Sequence, residues 1–221
     1  KIGIDDGNIE YEAKGEVPGY LLNQFSLDEY NGNLRVATTM EFYNIVPIMA
    51  ARGGAAAGSA AVSEAVAPSS VSGKAAAEEK FIAMPKPSRP IRETRFTMYN
   101  NVYVLDKDMK TIGMLEAIAP DERIYSTRFL GDRLYMVTFK RIDPLFVIDL
   151  SNPEEPEILG ELKIPGFSDY LHPYDENHII GIGKETDSNE WGGVSVKGVK
   201  LALFDVSDVE NPKELDKYEI G

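Results

Sequence analysis

The sequence predicts an all-β fold built from a repeated unit of four short strands. Short apolar runs, rich in β-branched and aromatic side chains, alternate along the chain with turns that contain Gly, Pro, Asn and Asp. This alternation is typical of strands separated by tight turns. The clearest unit spans residues 145–183, LFVIDLSNPEEPEILGELKIPGFSDYLHPYDENHIIGIG, and parts of its pattern recur upstream and downstream.

Two hairpins make up this unit. The first two strands, residues 145–150 and 158–164, flank a turn that contains two prolines, and proline cannot donate a hydrogen bond within a sheet. The next two strands, residues 167–171 and 178–183, flank a polar turn. The unit therefore reads as four consecutive strands.

The repeat period identifies the architecture. Strands that end in Asp106, Asp149 and Asp205 are each followed by a polar turn, and the closing residues Pro120 and Gly166 lie 46 positions apart. A period of this length with four strands per unit indicates a β-propeller blade. A β-sandwich is the alternative, because it also contains short strands at regular spacing.

The repeats predict about three full blades and part of another. The full blades span approximately residues 20–120, 121–166 and 167–221, and residues 1–5 and 9–17 supply two strands of a preceding blade. A propeller needs about four to eight blades to close its ring. We therefore expect residues 1–221 to form part of one propeller domain, with the remaining blades outside this sequence.

Several segments carry a family resemblance. GEVPGYLLNQFSLDEYNGNLRVATT and DYLHPYDENHIIGIG resemble the secreted archaeal and bacterial β-propeller-domain family, which is distantly related to WD40 repeats. DLSNPEEPEILG and DVSDVENPKEL resemble the LVIVD-type repeat of cell-surface proteins. The resemblance covers nearly all of the chain except residues 41–96. It implies a propeller fold and an extracellular or cell-surface location, and it transfers no catalytic residue.

Residues 41–96 interrupt the repeat and are predicted to form an inserted loop within the first full blade. Residues 50–79 contain twelve alanines, and residues 80–95 are basic and proline-rich. This low-complexity composition lacks large apolar side chains and favours a flexible tether. The alternative is an arm that binds a partner or lies back on the acidic blades.

Charge and composition exclude several function classes. The net charge of −13 disfavours nucleic acid and anionic membranes as partners. The chain has no cysteine, which excludes disulfides and thiol catalysis. It also lacks the run of about 18 apolar residues that a membrane helix requires, so no membrane insertion is expected.

A second long loop is predicted over residues 184–198 and contains Trp191. Both long loops fall between the second and third strands of their blades, and loops on a rigid scaffold commonly hold binding sites. Trp191 is predicted to stack on a sugar or peptide, or alternatively to anchor its loop. Asp187, Asn189 and Glu190 offer oxygen ligands that suit calcium, and no other cofactor is expected.

The sequence favours a non-catalytic binding module with a protein or polysaccharide partner. The alternative is a hydrolase or lyase with an active site at the central channel. Asp169, Tyr170 and His172 lie on one predicted inner strand and are the candidate residues there for either function. The aspartates that precede turns recur from blade to blade, which indicates a role in the turns and not a catalytic pair.

Overall fold

The computed structural model describes residues 1–48, 91–139, 143–188 and 194–221. The chain divides into two compact units, one formed by Lys1–Tyr43 with Phe96–Gly221 and the other by Asn44–Arg95. Of the second unit, the structure describes only residues 44–48 and 91–95, which belong to two strands. Within the described ranges, no helix is long and apolar enough to cross a membrane.

The described residues form fourteen strands and one 3₁₀ turn, which confirms the predicted all-β fold. The strands are β1 (Ile2–Asp5), β2 (Asn8–Tyr11), β3 (Leu27–Tyr30), β4 (Asn33–Ile48), β5 (Ile91–Leu105), β6 (Thr111–Ile118), β7 (Arg123–Leu130), β8 (Arg133–Phe139), β9 (Asp143–Asp149), β10 (Glu157–Ile164), β11 (Phe167–Pro173), β12 (His178–Ser188), β13 (Val194–Asp205) and β14 (Lys213–Ile220). The 3₁₀ turn, Gln24–Ser26, directly precedes β3.

Three four-stranded sheets correspond to the three predicted full blades. Their strand orders are β3-β4-β5-β6, β7-β8-β9-β10 and β11-β12-β13-β14, and β1 pairs with β2 in a separate hairpin. Each blade therefore follows the chain from its first to its fourth strand. The prediction of three full blades and part of another is confirmed.

The middle blade is buried on both faces. Leu134 and Met136 on β8 belong to the apolar core shared with the first blade, whereas Tyr135 and Val137 belong to the core shared with the third. Successive side chains of a strand point to opposite faces of the sheet, so an uninterrupted apolar strand can pack against a neighbour on each side. Full burial of one such side chain stabilises the fold by roughly 1.5–3 kcal/mol.

Glycines allow the outer strand of one blade to approach the next blade closely. A Cβ atom on Gly113 of β6 would collide with the backbone oxygen of Pro153, and one on Gly160 of β10 would collide with that of Val209. Pro153 and Val209 lie in the turns that follow β9 and β13. Each outer strand thus packs closely against the turn between the third and fourth strands of the following blade.

The recurring aspartates cap these turns, as the sequence predicts. In every full blade, the carboxylate that ends the third strand accepts a hydrogen bond from the backbone N–H two residues later. The pairs are Asp106 with Asp108, Asp149 with Ser151 and Asp205 with Ser207, at 2.9, 3.2 and 2.9 Å. Three carboxylates therefore stabilise turns.

The predicted loop over residues 41–96 is too long at both ends. β4 continues to Ile48, and β5 begins at Ile91. Aromatic rings pair where the two strands extend. The ring centroids of Phe42 and Tyr99 lie 5.5 Å apart, and those of Tyr43 and Phe96 lie 5.0 Å apart. The predicted tether over residues 50–79 lies outside the described residues.

The predicted loop over residues 184–198 is likewise mostly strand. β12 runs to Ser188 and β13 begins at Val194. Glu185 and Thr186 are buried, and Asp187 forms an ion pair with Lys197 across the two strands, at 3.1 Å. The end of β12 is a run of polar and charged residues, Lys184–Ser188, so it has no apolar alternation from which a strand could be predicted.

Candidate functional site

The two ends of the blades differ in what they carry. In each blade, the hairpin between the second and third strands lies at the end from which the chain passes to the next blade. We name this the hairpin end, since it holds the long hairpins β4–β5 and β12–β13. The opposite end, which holds the turn after each first strand and the aspartate-capped turn after each third strand, is the turn end.

Several aromatic side chains of the described residues lie at the hairpin end, and we define six of them as the aromatic patch. Tyr43, Tyr20 and Phe96 are exposed by 67%, 46% and 39%, and the other three are half-buried. The members are Tyr20, Tyr43, Phe96, Tyr125, Phe139 and Phe167. Large apolar side chains that are exposed side by side commonly mark an interaction surface, whereas single exposed apolar side chains are ordinary.

Three rings of the patch connect the second blade to the third. The centroids of Tyr125 and Phe139 lie 5.4 Å apart, and each of these rings lies 4.9 Å from that of Phe167. Aromatic pairs at this distance are worth about 0.5–1.5 kcal/mol beyond the area that they bury. The three rings therefore form a fixed base beside the more exposed members of the patch.

Polar groups border the same rings. The Arg123 guanidinium lies 5.0 Å from the Tyr125 ring centroid, and its Nη2 donates to the Tyr125 hydroxyl at 3.2 Å. The Tyr20 hydroxyl donates to Glu41 Oε1 at 2.6 Å. Burial, followed by the Glu41 carboxylate, raises the pKa of Tyr20 to about 12. Tyr20 therefore keeps its proton, and the patch presents one cation and several hydroxyl groups among its rings.

The three inner-strand candidates from the sequence do not form one group. Tyr170 and His172 lie together, with the Tyr170 hydroxyl 3.3 Å from His172 Nδ1. Asp169 lies at a β-bulge, where the register with β12 shifts between Ser168 and Tyr170. Burial raises the pKa of Asp169 above its usual range, and Lys184 opposes that shift. In the described structure Asp169 makes no hydrogen bond with Tyr170 or His172.

Sequence reasoning missed two further side chains beside Tyr170. The guanidinium carbon of Arg128 on β7 lies 4.2 Å from the ring centroid of Phe25 and 5.2 Å from that of Tyr170. The Phe25 and Tyr170 centroids lie 5.5 Å apart, edge to face. We define Phe25, Arg128, Tyr170 and His172 as the inner-strand cluster. The only signal in the sequence was a lone arginine between Thr127 and Phe129 in an otherwise uncharged part of β7.

Of the three predicted calcium ligands, the structure describes only Asp187. Asp187 is ion-paired with Lys197, whereas Asn189, Glu190 and Trp191 lie outside the described residues. No group of three or more His, Cys, Asp or Glu side chains in the described ranges is arranged to hold a metal ion. The calcium site and the role of Trp191 stay predictions.

The turn end has a cavity of about 800 Å³ between the second and third blades. Two of its four acidic side chains, those of Asp149 and Asp175, have partners. Asp149 Oδ2 accepts the Ser151 hydroxyl at 2.7 Å, and Asp175 Oδ1 lies 2.8 Å from His178 Nδ1. The backbone N–H of Asn177 and then His178 lower the pKa of Asp175. These carboxylates hold turns in place.

Comparisons with known proteins agree with this architecture. Residues 1–221 match the family model described as a β-propeller domain. An uncharacterized protein of Methanocaldococcus jannaschii is 39% identical over 221 residues, which cover 100% of this chain and 26% of the relative. An uncharacterized protein of Archaeoglobus fulgidus is 39% identical over 210 residues, which cover 95% of this chain and 23% of the relative. The chain thus spans about a quarter of the length of these relatives.

Proposed function

Because this chain belongs to the β-propeller domain family, we propose that it is a non-catalytic binding module that recognises a protein partner through the aromatic patch. The exposed rings of Tyr20, Tyr43 and Phe96 beside Arg123 carry this proposal. Aromatic residues and arginine are the types most enriched in the energetic centres of protein interfaces. Nothing in the described residues favours the enzyme alternative over binding.

The patch has the parts that an interface centre requires. Its half-buried rings are held by one another across two blades, so little conformational entropy is lost when a partner covers them. A partner that covers its exposed rings gains part of the roughly 1.5–3 kcal/mol that full burial of a large apolar side chain provides. Trp191 lies in the sequence between β12 and β13, and the proposal includes it at the same end.

The location of this module is a separate proposal. The resemblance of its segments to secreted and cell-surface repeat proteins supports a place outside the cytoplasm. Protease treatment of intact cells tests it, because an exterior domain is digested before a cytoplasmic marker protein is. Digestion only after lysis would contradict it.

Site-specific photo-crosslinking tests the binding proposal. A photoreactive phenylalanine analogue replaces Tyr43 in the native protein within cells, and the matched control carries the analogue at Tyr174. Tyr174 is exposed by 68% but lies at the turn end. We expect a discrete protein adduct from position 43 and none from position 174.

The outcomes separate the partner classes. Equal adducts from both positions, or none from position 43, would reject the aromatic patch as a protein interface. Retention on an immobilised polysaccharide that Tyr43→Ala abolishes would replace the protein partner with a polysaccharide.

A further inference from the structure

Arg128 is held in place by a backbone oxygen of the next blade. It is half-buried on β7, and its Nε–H donates to the backbone oxygen of Leu171 on β11 at 2.9 Å. That bond uses one of the five N–H groups of a guanidinium. No carboxylate among the described residues forms an ion pair with Arg128. The two terminal nitrogens therefore keep their donors for another acceptor.

Arg35 shows what a neutralised arginine looks like in the same fold. It is only 3% exposed, and its Nη1 donates to Gly131 O in the next blade at 2.7 Å. Its Nε donates to Asp28 Oδ2 at 2.9 Å, and its Nη2 donates to the same oxygen and forms an ion pair with it. Both arginines bridge successive blades, but in the described part of the chain only Arg35 is paired with a carboxylate.

Two aromatic rings fix the surroundings of Arg128. Phe25 from the first blade and Tyr170 from the third place their rings 4.2 and 5.2 Å from its guanidinium carbon. Rings at these distances remove water from the faces of the cation, and a charge–charge contact is stronger where the local dielectric is low. The Tyr170 hydroxyl, which lies 3.3 Å from His172 Nδ1, adds further polar groups to the cluster.

We propose that the inner-strand cluster binds the carboxylate group of a small organic acid, with Arg128 as the charged contact. The planar edge of a guanidinium matches a planar carboxylate in a two-point hydrogen bond. A single arginine supplies one positive charge, which suits a monoanion. The net charge of −13 on the chain repels a phosphate dianion more strongly than it repels a carboxylate. This site is separate from the aromatic patch and does not depend on the protein partner.

Binding of benzoate and of its neutral isostere benzamide to the 221-residue chain tests the proposal. Titrations followed by ¹⁵N–¹H NMR give both dissociation constants without any variant. We expect benzoate to bind at least about tenfold more tightly than benzamide, which is the effect of one charge-assisted contact. Resonances of the inner strands β7 and β11 should shift with it.

Substitutions of Arg128 test whether this residue supplies the positive charge that binds benzoate. Arg128→Lys keeps the charge but loses the planar fork, so benzoate binding should weaken about fivefold or more. Arg128→Met should weaken it at least about tenfold. Arg133→Ala, at the turn end, is the matched control and should leave benzoate binding unchanged. The NMR spectrum of each variant shows that it is folded, and the ligand comparison stands alone if Arg128→Met is not.

Three results would overturn the proposal. Equal affinity of the wild-type chain for benzoate and benzamide would remove the role of the carboxylate. Unchanged benzoate binding by Arg128→Lys and Arg128→Met would remove Arg128. Tighter binding of inorganic phosphate than of benzoate would assign the site to a different anion.

Discussion

The turn end and the hairpin end of the blades use their side chains differently. At the turn end, Asp106, Asp149 and Asp205 all accept backbone hydrogen bonds within their own turns. At the hairpin end, Tyr20, Tyr43 and Phe96 expose large parts of their rings. Residues that recur from blade to blade therefore stabilise the repeat, whereas Tyr43 and Phe96 of the proposed binding surface lie in the segment that interrupts the repeat.

The glycine contact between blades should produce the largest effect. A Cβ atom at Gly160 would collide with Val209 O and would also lie 2.9 Å from Glu210 O. Gly160→Val forces these two backbones apart, and we expect it to lower the free energy of unfolding by about 3 kcal/mol or more. Chemical denaturation of the 221-residue chain measures this.

Gly32→Ala is the matched control for that variant. Gly32 has a φ of +79° but has nothing within 4 Å of an added Cβ, so its cost is backbone strain alone, about 1 kcal/mol. Equal losses in the two variants would show that the close approach at Gly160 does not hold the blades together.

We expect the second-largest loss of stability from disruption of a buried charge network at the hairpin end. Lys200 is buried, with Nζ 2.9 Å from Glu214 Oε2 and 2.8 Å from Pro165 O. Glu185 is also buried and lies 3.6 Å from Lys200 Nζ. Lys200→Ala removes a cation from these carboxylates, and we expect a loss of about 2–3 kcal/mol in the free energy of unfolding.

Lys197→Ala is the control for the buried network. Its ion pair with Asp187 is largely exposed, so its removal should cost less than about 0.5 kcal/mol. Equal losses in the free energy of unfolding for Lys200→Ala and Lys197→Ala would show that the buried charges of this hairpin stabilise the fold no more than its exposed charges do.

Two aspartates should respond to pH with opposite signs. The hydroxyl and N–H groups of Ser207 lower the pKa of Asp205, so this carboxylate stabilises the fold above its unfolded-state pKa of about 3.9. That contribution is lost as the pH falls through the lower, folded-state pKa. Asp205→Asn should be less stable than the wild-type chain at neutral pH, and the difference should vanish in acid.

Asp169 provides the reverse case. Burial raises its pKa, so the folded state disfavours its ionised form and ionisation lowers stability as the pH rises. Asp169→Asn should therefore be more stable than the wild-type chain at neutral pH and equal to it in acid. Denaturation curves collected from acid to neutral pH measure both variants, and differences of the same sign would contradict the contrast between these two carboxylates.

The exposed rings should contribute least to stability. Tyr43 and Phe96 form a cross-strand pair, and such pairs contribute about 0.2–1 kcal/mol. Replacement of both by alanine should lower the free energy of unfolding by less than about 1 kcal/mol. A loss as large as that of Gly160→Val would mean that these rings belong to the core.

Local sequence patterns predicted the blades because strands and turns are themselves local. The apolar alternation and the turn residues gave the three sheets, and the recurring aspartates gave the caps after β5, β9 and β13. The extension of β12 was missed because it carries polar side chains, such as that of Asp187, which pairs with Lys197, and such a strand has no apolar period. The β4–β5 extension does pair aromatic rings, but it directly adjoins the alanine-rich segment that interrupts the repeat.

The inner-strand cluster lay beyond local patterns for a different reason. Phe25, Arg128 and Tyr170 belong to three different blades, so only the packing of blade on blade brings them together. The sequence selected Tyr170 and His172 because both lie on one strand, and it grouped Asp169 with them because it could not show the β-bulge at that residue.

Partner binding by two double variants tests most directly which end of the blades is functional. One variant replaces Tyr43 and Phe96 with alanine, and the other replaces Asp149 and Asp205 with alanine, under conditions in which both are folded. We expect the first to lose partner binding by at least about tenfold, as truncation of interface centres does, and the second to keep it within about twofold despite its lower stability. Retained binding in the first variant, with loss in the second, would place the function at the turn end and contradict this account.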